Sequence, residues 1–376
     1  MSVLALDGVI RPYAWGSRTA IPALLGVPPT SLPAAELWYG AHAGDPSRVG
    51  DSTLDKLIAA EPELLLGSSV VQKLGPQLPF MLKVLAAETA LSIQVHPNLA
   101  QARAGYAAED ARGLPKDAPQ RNYKDANHKP ELLCALTEFQ ALCGFRPVGE
   151  TLRLLDALGL AWLRDVLARD GLRAAFTALL SLDEPEPLAD AVVAGLPRLA
   201  GTEWAEVGDA LTPAASDFPG DVGIALALLL NFVRLAPGEA IYLAAGNVHS
   251  YLYGTGVEIM ANSDNVLRCG FTPKHVDVAE LLRITDFAEL AEPRWPAVDS
   301  AFHVPVPDFV LSLAGGAATL AESAPRIVLP VDAPARVAGE TAAVELDRGI
   351  AAFVGADEAV VRVQGSGRIF VASTGL

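Results

Sequence analysis

Gln94 and His96 in SIQVHPN, Glu131 in NHKPELL and His249 in AAGNVHSY could together bind a divalent cation, although they lie far apart along the chain. Such a set needs a fold to assemble it. Gln94 and His96 are two residues apart, and alternate side chains of a β-strand share a face, so both project from one side of one strand. Glu131 follows Pro130, and a proline is tolerated at a strand start, so the carboxylate can open a strand that faces this pair. His249 would close the site from a third strand. Imidazole suits zinc, iron, copper or nickel, carboxylate and amide oxygens accept harder ions, and no thiolate joins the set; zinc or another first-row divalent ion is the expected occupant. Four protein ligands on one wall leave room for a fifth, a water or a substrate oxygen, as Lewis-acid catalysis requires. Each residue taken singly has a plainer reading, because a lone histidine in an apolar strand is commonly a hydrogen-bonded core residue.

The elements that must position these residues fall into three textures. From 1 to 147, short β-prone runs such as PFMLKVL, LSIQV and ELLCAL alternate with Gly, Pro and Asn turns. Two helices interrupt them, STLDKLIAAEPELLL behind a Ser/Thr cap and the alanine-rich NLAQARAGYAAEDARG. From 148 to 236 the pattern turns helical. Leu155, Leu158, Trp162 and Val166 recur at helical spacing, and the stretches Leu172 to Leu182, Leu188 to Val193 and Asp221 to Val233 also read as helices. Trp162 and Trp204 are expected in the core of this block. After Pro237-Gly238 strand texture returns to 289, so the helices read as a domain inserted into a discontinuous β-domain of 1–147 and 237–289. From 290 to 376, runs such as DFVLSLAG, APRIVLPV, GIAAFVG and AVVRVQGSGRIFVAS suggest a second small sandwich or barrel, holding His303 and no metal-like cluster.

Composition narrows the partners. The chain has 376 residues and a formal net charge of −16, which makes nucleic acid an unsuitable partner, because phosphate backbones demand basic surface. If the substrate is an anion, its cations must be local, and Lys83, Lys124, Lys129, Arg268 and Lys274 fall in the same stretches as the metal candidates. The apolar run from Ile224 to Leu230 ends at Asn231, too short to span a bilayer. The segment MSVLALDGVIRPYAWGS lacks a basic leader and a small-residue cleavage site, so a cytoplasmic protein with no membrane partner is expected. Cys134, Cys143 and Cys269 form no C-x-x-C pair and read as small buried hydrophobes. The GTG at Gly254 to Gly256 is too short for a dinucleotide or P-loop cradle.

The segments YAWGS (Tyr13 to Ser17), ELWYGAH (Glu36 to His42), LPFMLKVL (Leu78 to Leu85) and LSIQVHPN (Leu91 to Asn98) resemble type I phosphomannose isomerases. NYKDANHKPELLCALTEFQALCGFRP from Asn122 and PGEAIYLAAGNVHSYLYGTGVEIMANSDNVLRCGFTPKHVDV from Pro237 continue the match in the family's order; the helical block and the region after 290 match weakly. The resemblance implies a mainly β protein with an α-helical insertion, namely two cupin-like jelly rolls plus a helical domain. It implies interconversion of mannose 6-phosphate and fructose 6-phosphate through a cis-enediolate, with one Zn2+ per chain on Gln94, His96, Glu131 and His249. Substrate and catalytic residues of the family carry over to Ser92, Lys129, Glu258, Asp264, Arg268 and Lys274. Cys269 stands where glycine is common and Phe271 where leucine is common, and neither removes a functional group. The resemblance leads us to expect a monomer acting on a small sugar phosphate. Its product could feed GDP-mannose synthesis or be consumed for energy.

Aldose-ketose isomerisation moves a proton between C1 and C2, and the enediolate oxygen needs stabilising as it forms. A divalent cation and the Arg268 guanidinium can do this in a dry site. Lys274, Ser92 and Arg268 are candidates for the phosphate, which needs cationic and hydroxyl donors. The base stays open among Glu258, Asp264, Lys129 and His128, with a water held by the ion beside Asp264 as a competitor. Trp15 and Trp38 read as packing, and His42 and His275 have no clear role. Two other classes remain: a cupin-fold iron dioxygenase, whose open coordination positions Gln94 would partly fill, and a noncatalytic sugar-binding cupin, which would not need Arg268 and Lys129.

Overall fold

The apolar runs around the four candidate ligands pair into one assembly of 11 strands in the computed structural model, which describes residues 2–376. Its organising element is the 13-residue strand His249–Ala261. From Gly254 onward this strand lies between Phe80–Ala87 and Glu131–Ala135, with Glu258 opposite Lys83 and Met260 opposite Glu131. Its first residues pair instead with Ile93–Val95 and Phe139–Phe145, so that His249 faces Gln94 on one side and Cys143 on the other. One strand thereby serves both walls of a cupin-like roll. The changeover is a register shift between Tyr251 and Tyr253 followed by Gly254 at φ 117°. A Cβ there would lie 2.5 Å from the Glu138 carbonyl oxygen, so glycine is required. In an unbroken strand His249 and Glu258, an odd number of residues apart, would face opposite sides. The irregularity instead brings both ends of the strand toward one interior, where Tyr251 Oη donates to Glu258 Oε1 at 2.7 Å.

Further strands extend the two walls. Glu36–Tyr39 pairs outside Phe80–Ala87, Ala240–Leu243 outside Glu131–Ala135, and Leu267–Gly270 beside Ile93–Val95, with Arg268 opposite Gln94. Phe80–Ala87 is buried along its whole length, which is what a central strand covered on both faces demands of FMLKVLAA. Lys83 is its one charged residue.

Helices cap the roll and fill the insertion. Leu99–Ala111 starts with a capping box, in which Asn98 Oδ1 accepts from Gln101 N at 2.9 Å and Gln101 Oε1 accepts from Asn98 N at 2.8 Å. The helix expected over STLDKLIAAEPELLL is broken into Leu54–Ala60, Pro62–Leu66 and, beyond Gly67, Ser68–Leu74; Thr53 makes no side-chain cap. In the insertion, Val148–Leu158 ends at Gly159 in the left-handed region and the chain restarts as Ala161–Leu180. The helical spacing read from Leu155 to Val166 therefore spans two helices. Leu155 and Leu158 are buried, but the break rotates Trp162 outward to 46% exposure, so it is not the core residue expected. Asp221 to Val233 is not one helix either. Gly223–Ala227 is helical, and Leu230–Leu235 is a strand paired with Phe139–Phe145. A continuous apolar run is buried on all sides in either conformation, so periodicity cannot separate the two.

The C-terminal runs supply seven strands of a second, eight-stranded β assembly, with Val310–Leu320, Arg326–Pro330, Ala351–Val354 and Val361–Ser373 at its centre. Val3–Leu6 joins it, pairing with Ala351–Val354 from Val3 opposite Val354. The two β assemblies share a core, in which Leu6, Tyr39, Phe80 and Leu132 meet Phe302, Phe309, Phe353 and Phe370.

Candidate metal centre and active site

The register of the strands assembles the ligands. His249 and Arg268 flank Gln94 on neighbouring strands, His96 follows two residues on, and Glu131 opens its strand behind Pro130. Ligand atoms of His96, Glu131 and His249 all lie within 4.8 Å of one another. His96 Nε2 is 3.5 Å and His249 Nε2 3.4 Å from Glu131 Oε2, and the two rings are 5.0 Å apart. The far ring nitrogens are already engaged: His96 Nδ1 donates to the Asn265 carbonyl at 2.7 Å and His249 Nδ1 to the Asn247 carbonyl at 3.0 Å. Carbonyls only accept, so both protons sit on Nδ1 and both Nε2 atoms turn bare lone pairs inward. These two nitrogens and Glu131 Oε2 are buried without a hydrogen-bond partner. Burial lowers His96 to about 4, outweighing the pull of Glu131, so the ring stays neutral. Burial would raise Glu131, but the Lys129 ammonium, with Nζ 3.3 Å from Oε1, pulls the other way and the carboxyl lies well below the usual carboxylate range. Two imidazoles that turn Nε2 inward and an ionised carboxylate, all three facing atoms unpartnered, are the donor set of a first-row divalent cation, and that set fits zinc.

A charged wall adjoins this cluster. Lys83 Nζ lies 3.0 Å from Glu258 Oε2 and 3.6 Å from Glu36 Oε1, all three side chains being buried. Burial opposes the lysine's charge, yet Glu258, Glu36 and Glu131 hold its pKa above the ordinary lysine value. Burial raises Glu258 against the pull of Lys83. Trp38 Nε1 donates to Glu36 Oε2 at 2.6 Å, and its ring lies under both Arg11 and Lys83. Trp38 is thus part of the charged wall as well as packing. Asp264 is half exposed beside His42, whose Nε2 is 3.3 Å from Asp264 Oδ2. That contact, against some burial, lowers the carboxyl below its usual value. His42 and Asp264 also line a cavity of about 460 Å3 together with Lys124 and Asp125.

Cations gather at one rim. Lys274 is lowered first by the charge of Arg268, then by burial and Lys124, which places these three sequence-selected cations in one field. Arg268 is lowered by burial and feels Tyr13. Ser92 is half-buried two residues before Gln94. His128 does not join this group: its Nε2 lies 3.1 Å from both carboxylate oxygens of Asp308, between the strands Ala301–His303 and Val310–Leu320 of the C-terminal assembly. The candidate shuttle is held against Asp308 because Asn127 Oδ1 accepts the His128 backbone N–H and Asn127 Nδ2 donates to the Asn262 carbonyl, fixing the loop.

Glu36, Tyr251, Asp125 and Asn265 were not selected from the sequence, and Lys83 only as a cation. A single lysine in the otherwise apolar FMLKVLAA signals a buried counter-charge, and Glu36 with Trp38 shares one strand face by alternation.

Comparison with known proteins adds an independent line. The catalytic-domain model of type I phosphomannose isomerase matches residues 3–148. Mannose-6-phosphate isomerase of Escherichia coli is 38% identical over 380 residues, covering 96% of each chain. The bovine enzyme is 36% identical over 412 residues, covering 95% of this chain and 94% of its own. A crystal structure of mannose 6-phosphate isomerase from Salmonella typhimurium bound to fructose 6-phosphate and zinc superposes with a TM-score of 0.91 at 36% identity, over 100% of both chains.

Proposed function

The chain belongs to the type I phosphomannose isomerases, and from that premise we propose how its residues divide the reaction. It is a metal-dependent isomerase that interconverts mannose 6-phosphate and fructose 6-phosphate. In our reading Gln94, His96, Glu131 and His249 hold the zinc ion, and the observation that carries this is the set of three buried, unpartnered ligand atoms. When bound, the ion supplies Lewis acidity that polarises the sugar carbonyl. Arg268, Lys274 and Ser92 take the phosphate and the sugar oxygens beside it, since a dianion needs clustered cations in a chain whose net charge is −16.

Asp264 is the base in this proposal. Both oxygens of Glu258 are engaged, by Lys83 and Tyr251, and the His128 ring is engaged by Asp308. Asp264 stays ionised at neutral pH, is backed by His42 and feels the charges of Lys129 and Lys83, which places it in the field of the charged wall beside the metal candidates. Its carboxylate takes the proton from C2 of mannose 6-phosphate, leaving an enediolate, and returns it to C1. Lys129 passes the hydroxyl proton of O2 to O1, and fructose 6-phosphate results. The charged wall of Lys83, Glu36 and Glu258 keeps the interior rigid and polar so that no reorientation accompanies charge development.

We place the reaction in the cytoplasm, on a monomer whose partner is the sugar phosphate alone, with mannose 6-phosphate directed toward GDP-mannose. The acidic surface supports the exclusion of nucleic acid, and among the described residues no helix is long and apolar enough to cross a membrane. A coupled assay on chelator-stripped and zinc-restored protein tests the core of this reading, together with Asp264→Asn. Turnover should vanish on stripping and return with zinc, and the variant should keep bound zinc while losing at least about 100-fold in kcat. Full activity in a verified metal-free sample would sink the metal assignment; a variant within about threefold of the parent would sink the base.

A further inference from the structure

We propose that Asn265 is a positioning residue that ties the metal ligand His96 to the lysine-bearing segment at 124–125, so that one buried amide sets both the grip on the ion and the cationic rim. The inference rests on His96 being a metal ligand. Asn265 is fully buried, and its backbone carbonyl receives the Nδ1 proton of His96 at 2.7 Å. That single bond fixes both the tautomer and the orientation of the imidazole, so whatever holds the carbonyl aims the ligand.

The side chain is what holds it. Asn265 Oδ1 accepts the N–H groups of Lys124 at 2.7 Å and Asp125 at 3.3 Å. Its Nδ2 donates to the Asp125 carbonyl at 2.9 Å, Asp125 Oδ1 at 3.2 Å and the Asn127 carbonyl at 2.8 Å. The amide's two lone pairs and two protons are therefore all spent on one segment, from Lys124 to Asn127. Asp125 closes the node by accepting from Ser263 Oγ at 2.9 Å and from the backbone N–H of Asp264 at 2.7 Å. A ligand, a rim cation and the carboxylate we assign as base thus hang from one pair of residues. No other side-chain type offers two acceptor positions and two donors in this shape, since aspartate lacks the donors and leucine lacks both.

The segment is held from its other side as well, which makes the node a junction between two fixed pieces. Buried Glu109 accepts the N–H groups of Asn122 at 3.0 Å and Tyr123 at 2.9 Å, and Arg121 Nε donates to the Tyr123 carbonyl at 2.7 Å. Lys124 therefore enters the node with its upstream backbone already clamped. Losing the Asn265 amide frees the carbonyl that aims His96 while leaving this clamp intact.

The test uses the whole protein loaded with Co2+, whose visible absorption reports ligand geometry. Asn265→Ala should release the metal to excess chelator about 10-fold faster, shift the cobalt spectrum and raise KM for mannose 6-phosphate. Glu358→Ala serves as the control, because it removes a comparably buried acceptor, for the Glu340 N–H and the Thr341 hydroxyl, in the C-terminal assembly. It should lower thermal stability without changing cobalt spectrum, release or KM. If the alanine variant does not fold, Asn265→Asp keeps the size and the acceptor, loses the donors, and should show the same three changes. Unchanged release and spectrum in whichever variant folds, or equal changes in Glu358→Ala, would overturn the proposal. His96→Ala serves as reference: if it kept its metal, the metal-site reading itself would fall and the proposal with it.

Discussion

Replacing Lys83 by methionine tests the charged wall, because methionine keeps the length of the stem and deletes only the ammonium. Lys83 Nζ and Glu258 Oε2 are 3.0 Å apart, with side chains 6% and 3% exposed, so solvent screens the pair very little. Removing one partner of such a pair strands the other, at a cost of about 3–5 kcal/mol. A chain of 376 residues has an unfolding entropy on the order of 0.8 kcal/mol per kelvin near 60 °C, so the expected fall in Tm is about 4–6 °C. The sign with pH follows from Glu258. Its folded pKa is already raised by burial, and without Lys83 it rises further. A carboxyl whose folded pKa exceeds its unfolded one favours the fold below the unfolded value and loses that contribution as pH climbs through the folded value. The Tm deficit of Lys83→Met should therefore be largest at pH 8 and shrink toward pH 5. Adding Glu258→Gln should recover part of the loss, since it removes the nearer stranded carboxylate and leaves Glu36, whose Oε1 is 3.6 Å from Lys83 Nζ in the parent and whose Oε2 accepts from Trp38. Calorimetric scans of the parent, both single variants and the double variant across pH 5–8 measure this. A pH-independent deficit, or single-variant losses that simply add, would refute the reasoning.

Two further outcomes follow from the rim and from the loop. Lys274→Met should raise KM for mannose 6-phosphate about tenfold, the equivalent of one charge-assisted contact, and leave kcat within about twofold; steady-state kinetics at two ionic strengths checks it, the defect narrowing at high salt. His128→Asn should lower Tm by about 2–4 °C, for the loss of a charged hydrogen bond to Asp308 worth about 1.5–3 kcal/mol. It should retain at least about a tenth of kcat, whereas a proton shuttle would lose about 100-fold or more.

The strands that carry the ligands were legible because their signals are local. Gln94 lies in the strand expected for it, although that strand, Ile93–Val95, ends one residue before His96; Pro130 marked the start of the strand at Glu131, and the return of β texture after Pro237 gave His249 its element. Where the sequence misled, two conformations suit the same pattern. Leu228 to Leu230 is apolar throughout and serves a helix end and a strand start alike, and Gly159 breaks a helical repeat whose spacing continues across the gap. The charged wall was hidden for another reason: Glu36, Lys83 and Glu258 meet only through the register of three strands, and Tyr251 reaches them only through the irregularity before Gly254. His128 was one of several candidates for moving a proton, and nothing local announces a partner as remote as Asp308.

The pairing of Val3–Leu6 with Ala351–Val354 imposes an order on biosynthesis. Val3–Leu6 has no partner strand until Ala351–Val354, more than 300 residues later, has been made. Leu6 and the apolar faces of Glu36–Tyr39 and Phe80–Ala87 must meanwhile wait for Phe353 and Phe370 to complete their core. Closing so long a loop is entropically slow. The strands carrying Gln94, Glu131 and His249 are all synthesised earlier, so the nascent chain can gather its candidate metal ligands while one flank of its β core is still exposed, which is the interval in which a chaperone would find a sticky edge to hold.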